Sequence, residues 1–84
     1  MKDKITFYRV TTESQEIDFI YPERAIVMAL CDGGTITARN KDFAHELAGF
    51  LVWIVGANQV SPIKWEIKQN TYAAVKFAEK HGML

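Results

Sequence analysis

At 84 residues, with 49% hydrophobic content, the chain is sized for one small domain and composed for a packed globule rather than a disordered segment. Ten basic and ten acidic residues cancel, so no long-range field draws it to nucleic acid, and near-zero charge favours self-association. The single cysteine, Cys31, excludes an internal disulfide and a cysteine-based zinc site and fits a reducing compartment.

The opening stretch Met1–Val10 holds no apolar run of signal-peptide length, which sets the expectation of a cytoplasmic protein. The longest apolar run, Leu47–Ala57, falls well short of the roughly 18 residues a membrane span needs. Ile5–Val10 reads as a strand, with Ile5, Phe7 and Arg9 on one face and Thr6, Tyr8 and Val10 on the other. A polar loop, Thr11–Gln15, leads to a second strand, Ile17–Tyr21, on which Ile17, Phe19 and Tyr21 share a face. The two are expected to form a hairpin.

Pro22–Cys31 supports two readings. Pro22 at a first helical position and Gly33 as a stop would frame a helix, and Ala, Met and Leu suit one. Such a helix would be apolar on every side, more than a domain this small is expected to cover. As a strand, Ala25–Cys31 separates large residues (Ile26, Met28, Leu30) from small ones, and Asp32-Gly33-Gly34 would turn it into the β-rich run Thr35–Arg39. The hairpin is the preferred reading and the helix its alternative.

Asn40–Gly56 reads as the long helix around which the rest is organised. Asn40 can cap it, Asp42 suits its first turn, and Gly56 can end it. Phe43, Leu47, Phe50, Leu51 and Ile54 fall on one side. From Phe50 onward the stretch is apolar all round, so Val52 and Trp53 emerge as an interface candidate. Ala57–Pro62 reads as a loop. Ile63–Lys68 alternates as a strand with Ile63, Trp65 and Ile67 inward and Lys64, Glu66 and Lys68 outward. Asn70 or Thr71 caps a last helix, Thr71–His81, with Ala74, Val75, Phe77 and Ala78 inward and Tyr72, Lys76, Glu79 and Lys80 outward.

The expected architecture is therefore a single α+β domain over residues 1–84. It has two layers, a mostly antiparallel sheet in the order β-β-β-β-α-β-α with two helices on one face. With Pro22–Cys31 helical the order becomes β-β-α-β-α-β-α. The uncovered sheet face would expose Tyr8, Val10, Ile20, Val27, Ala29 and Cys31, a second interface candidate.

The chemical motifs are weak. His45-Glu46-Leu47-Ala48-Gly49 opens like a zinc-protease helix, but Gly49 stands where the second histidine is required. Cys31-Asp32 lies far along the chain from His45, with no spacing that makes a thiol–imidazole pair, and a buried small cysteine is the ordinary expectation. Asp32-Gly33-Gly34-Thr35 lacks the spacing and lysine of a phosphate loop. No enzyme activity, metal or cofactor is expected. The expected function is a non-catalytic protein-interaction module that binds and regulates or inhibits a larger protein partner, an inhibitor of the phage or mobile-element type being one form. The partner-facing residues are taken as Tyr8, Ile20, Val27, Val52 and Trp53. Two alternatives stand beside it: a homo-oligomeric structural subunit (a homodimer being the simplest), and a nucleic-acid binder using Arg39, Lys41, Lys64, Lys68 and Tyr8 on an open sheet.

Overall fold

The computed structural model describes residues 5–84; the first four residues of the stretch read for a leader lie outside it. Its elements are β1 (Tyr8–Thr11), β2 (Glu16–Phe19), α1 (Pro22–Asp32), β3 (Gly34–Ala38), α2 (Lys41–Leu51), β4 (Ala57–Ser61), β5 (Lys64–Ile67) and α3 (Thr71–Lys80). The five strands form one antiparallel sheet in the order β2-β1-β3-β5-β4. The α+β class with an antiparallel sheet is as expected, and the element order is β-β-α-β-α-β-β-α.

Two successive β-α-β units make the framework. β2 and β3 run parallel with β1 between them, and β3 and β4 run parallel with β5 between them. Both connections step across the sheet in the same direction. The right-handed rule for such crossovers therefore puts α1 and α2 on the same face. The burial pattern agrees: Tyr8, Val10, Ile36, Ala38, Trp65 and Ile67 share one face through the strand register and are all buried. Each large side chain among them contributes about 1.5–3 kcal/mol before conformational entropy is subtracted.

The segment Pro22–Cys31 is a helix, so the preferred hairpin is corrected to its alternative. Pro22 takes the first turn, where its missing N–H costs nothing. Gly33 closes the helix at φ +74°, its N–H donating to the Ala29 carbonyl at 2.7 Å. The residues buried are Pro22, Ala25, Ile26, Ala29 and Leu30, a 3–4 spacing that only a helix produces. The objection that the helix would be apolar all round is met by α3, which packs alongside it. Ala25 and Ala29 on α1 and Ala74 and Ala78 on α3 are all buried, small enough for close approach of two helices. The junction is tied by the Asn70 N–H to the Leu30 carbonyl at 2.8 Å and by Gln69 Nε2 to the Cys31 carbonyl at 2.9 Å.

Three further readings change. β1 presents Tyr8 and Val10 inward, the face opposite the one expected, because Arg9 pairs with Asp18 of β2 on the solvent side; Phe7, just before the strand, is half-buried and stacks on Phe43 at 4.6 Å. Cys31 is exposed at the end of α1 rather than buried. Ala57–Ser61 is a strand rather than a loop. It forms a sheet edge next to β5, with a bulge between Gln59 and Ser61, and so needs no apolar alternation of its own. Gly34 has a separate constraint: a Cβ there would lie 2.2 Å from the Thr11 carbonyl oxygen, so β1 and β3 can pair at this point only across a glycine.

Candidate docking groove

The uncovered sheet face is polar. Arg9, Asp18, Thr35, Thr37, Lys64 and Glu66 lie there by register. Arg9 grips Asp18 through two hydrogen bonds, Nε to Oδ1 at 2.7 Å and Nη2 to Oδ2 at 3.2 Å. The Thr6 amide adds a third to Oδ2 at 3.1 Å. The guanidinium's hydrogen bonds, against the opposing pull of partial burial, hold the Asp18 carboxyl below its ordinary range. This face is a polar surface with Arg9 and Asp18 paired on it, not an apolar patch.

Tyr8, expected on that face as a contact residue, is fully buried beneath the helices. Its hydroxyl donates to Glu46 Oε1 of α2 at 2.6 Å, and its ring meets Phe43 edge-on at 5.9 Å. Burial, and then the neighbouring Glu46 carboxylate, push its phenol far above the ordinary range, so it stays protonated across all ordinary pH. Tyr8 is a core residue with one satisfied polar atom and is corrected as a partner contact. Val27 is half-buried on α1, and Ile20 is exposed in the link between β2 and α1.

Val52 and Trp53 lie where the helical reading and the structure part. Asn40 caps α2 as expected, its Oδ1 accepting from the Phe43 amide at 3.1 Å. The helix then stops at Leu51, well before Gly56. The Val52 amide still bonds Ala48, but the Ile54 amide bonds Leu51, the tighter geometry of a final turn. The run Val52–Val55 is β-branched and aromatic, the residue types that lose most side-chain freedom in a helix. In the turn that results, Ile54 packs against the core, while Val52, Trp53 and Val55 are left 72%, 83% and 88% exposed.

Beside this turn lies an open groove of about 460 Å³ between the end of α2 and α3. Gly49, Phe50, Trp53 and Val55 form one wall. Tyr72, Lys76 and Lys80, with Ala73, Phe77 and His81, form the other, two helical rows spaced four residues apart. Asn70 caps α3 by accepting from the Ala73 amide at 3.0 Å and so sets the direction of that wall. Aromatic rings meet at the floor, where the two walls join: the Phe77 and His81 ring centres are 4.2 Å apart, and the Phe50 ring centre lies 6.1 Å from that of Phe77 and 5.5 Å from that of His81. The Lys76 ammonium sits 5.6 Å from the centre of the Tyr72 ring. Lysines stand on the rim, and among the described residues no carboxylate lines the groove.

Of the five residues selected from sequence, Trp53 lines this groove and Val52 adjoins Trp53 in the same turn. The groove's other residues were missed. Tyr72, Lys76 and Lys80 were legible as an outward helix face, but that this face meets the end of α2 depends on how α3 returns across the sheet. Among the described residues no group of three or more His, Cys, Asp or Glu is placed to hold a metal ion, and no helix is long and apolar enough to cross a membrane. Comparison with known families, with curated proteins and with solved structures gives no significant match.

Proposed function

We propose that this chain is a protein-interaction module that binds a larger protein and regulates or inhibits it by occupying part of its surface, with the groove between α2 and α3 as the contact site. The observation carrying this reading is the turn Val52–Val55. Three large apolar side chains stand in solvent on a turn that is anchored by Leu51 and Ile54, next to a groove with aromatic walls. Scattered apolar surface residues are ordinary, but a contiguous set around an exposed tryptophan has the composition of an interface centre. The nucleic-acid alternative loses its main support, because Tyr8 is inside and the open sheet face offers no aromatic platform.

The test is affinity capture from the native cell with wild-type protein and with Trp53→Glu, followed by mass spectrometry. Trp53 is 83% exposed, so the variant is expected to keep its circular dichroism spectrum and melting temperature while losing a defined partner. A variant that still captures the same partner as well as wild type places the contact elsewhere and removes this reading.

A further inference from the structure

We infer that the groove receives an amphipathic helix of a protein partner, with acidic residues bordering its apolar stripe. The inference rests on the module reading above and adds the chemistry of what docks.

Charge selects the partner. The rim carries Lys76 and Lys80 with no aspartate or glutamate among the described lining residues, although the chain as a whole is neutral. An apolar stripe flanked by carboxylates meets both parts of this surface, the aromatic floor with its stripe and the lysines with its flanks. A second copy of this chain fits poorly, because a two-fold pairing sets this face against itself, and the described lining residues offer no carboxylate to meet the lysines.

Shape selects a helix. Both walls belong to the helical side of the domain and offer no unpaired strand edge, so an extended peptide would find no backbone to pair with there. The α3 wall presents its rows over about 15 Å, the length of roughly ten helical residues.

Gly49 is the independent observation. It lies inside α2, where glycine weakens a helix relative to alanine. Nothing among the described residues requires it: a Cβ at this position would meet none of their atoms outside its own helix backbone within 4 Å. It is exposed, and it lines the groove. A missing side chain in the wall lets a partner backbone come close, which accounts for a glycine that the fold itself does not need.

The experiment is selection from a displayed library of helical peptides, each about four turns long, on immobilised full-length protein. Binding of the enriched peptides to variants is then measured. The inference expects apolar residues at 3–4 spacing flanked by Asp or Glu. It expects binding to fall about tenfold or more with Lys76→Glu/Lys80→Glu and to recover when the peptide's acids are exchanged for lysines. Gly49→Leu, which fills the wall, is expected to weaken the same peptides about as much without lowering the melting temperature. Any of four results overturns it: enriched peptides without acidic bias, no enriched peptides, no transfer of preference by the charge exchange, or saturable micromolar binding of dodecanoate that displaces the peptides. A Trp53-dependent dimer by sedimentation also overturns it, in favour of a second copy. A cellular partner lost with Trp53→Glu but indifferent to Lys76→Glu/Lys80→Glu removes this inference and leaves the module reading standing. Peptides and partner that bind Trp53→Glu as well as wild type remove both.

Discussion

Helices α1 and α2 are each 11 residues long, each crosses between two parallel strands over an intervening antiparallel one, and both lie on the same sheet face. Yet α1 buries Pro22, Ala25, Ile26, Ala29 and Leu30, while α2 buries Ala44, Leu47 and Leu51 and is followed at once by exposed Val52 and Trp53. The difference lies in what each has beside it. α1 has the sheet below and α3 alongside, joined through small buried alanines and the hydrogen bonds from Gln69 and Asn70. α2 meets α3 near its end through Phe50 and Phe77, and the two diverge into an open groove. One crossover is packed on two sides within the chain; the other leaves Val52, Trp53 and Val55 exposed at its end.

Substitutions should separate the two regions sharply. Leu30→Ala empties a fully buried position on α1 and is expected to cost about 3 kcal/mol, from the lost transfer energy and the cavity together. For a domain whose total margin is about 5–10 kcal/mol, that is a large share of it. Trp53→Ala removes a larger side chain and should change stability by less than about 0.5 kcal/mol, because that side chain is mostly in water already. Urea denaturation of both variants checks the pair. A Trp53→Ala variant destabilised as much as Leu30→Ala would mean that the tryptophan packs inside the fold, and the contrast would fail.

The same contrast explains what could be read from the sequence. Local signals were sufficient where a decision was local: the Asn40 and Asn70 caps, the alternation that buries Trp65 and Ile67, and the outward face of α3. They failed where a decision depended on a distant element. Ala25–Cys31 looked too apolar for a helix only because α3 was not counted as its second cover. The face of β1 was ambiguous because Phe7 and Tyr8 are both aromatic; Arg9 paired with Asp18 was the available tie-breaker, since a charge pair across a hairpin belongs on its wet side. β4 carries no pattern because an edge strand with a bulge needs none. For the groove, Val52 and Trp53 were visible as an excess of apolar residues, whereas Lys76, Phe77 and His81 join them only through packing.

The hairpin at the far side of the sheet offers a smaller effect with a definite pH signature. Asp18 is held below its ordinary range by Arg9, so its stabilising contribution is complete above the unfolded carboxyl's pKa of about 4 and is lost as pH falls through the lower folded value. Asp18→Asn is expected to cost about 1 kcal/mol at neutral pH, and this difference should close on acidification, once the wild-type carboxyl is protonated in the folded state as well. Denaturant midpoints measured from neutral pH downward decide it. A gap between the two proteins that stays constant with pH would show that Arg9 does not act through this charge.

Gly49→Ala adds a single methyl and is the one substitution expected to carry the opposite sign. The added methyl meets nothing within 4 Å, the backbone there is already helical, and alanine is favoured over glycine inside a helix. The free protein should therefore gain about 0.5–1 kcal/mol, a rise in melting temperature of about 2–8 °C for a domain of this size. A packed glycine of the kind at Gly34, where the same methyl would strike the Thr11 carbonyl, should lose stability instead. Comparing the two alanine variants by thermal melting isolates the point. If Gly49→Ala melts lower than wild type, the wall of the groove is already in use by this chain, and α2 is as fully completed from within as α1. If it melts higher, position 49 is held open against the interest of the isolated fold, as expected of a wall that a partner's backbone approaches.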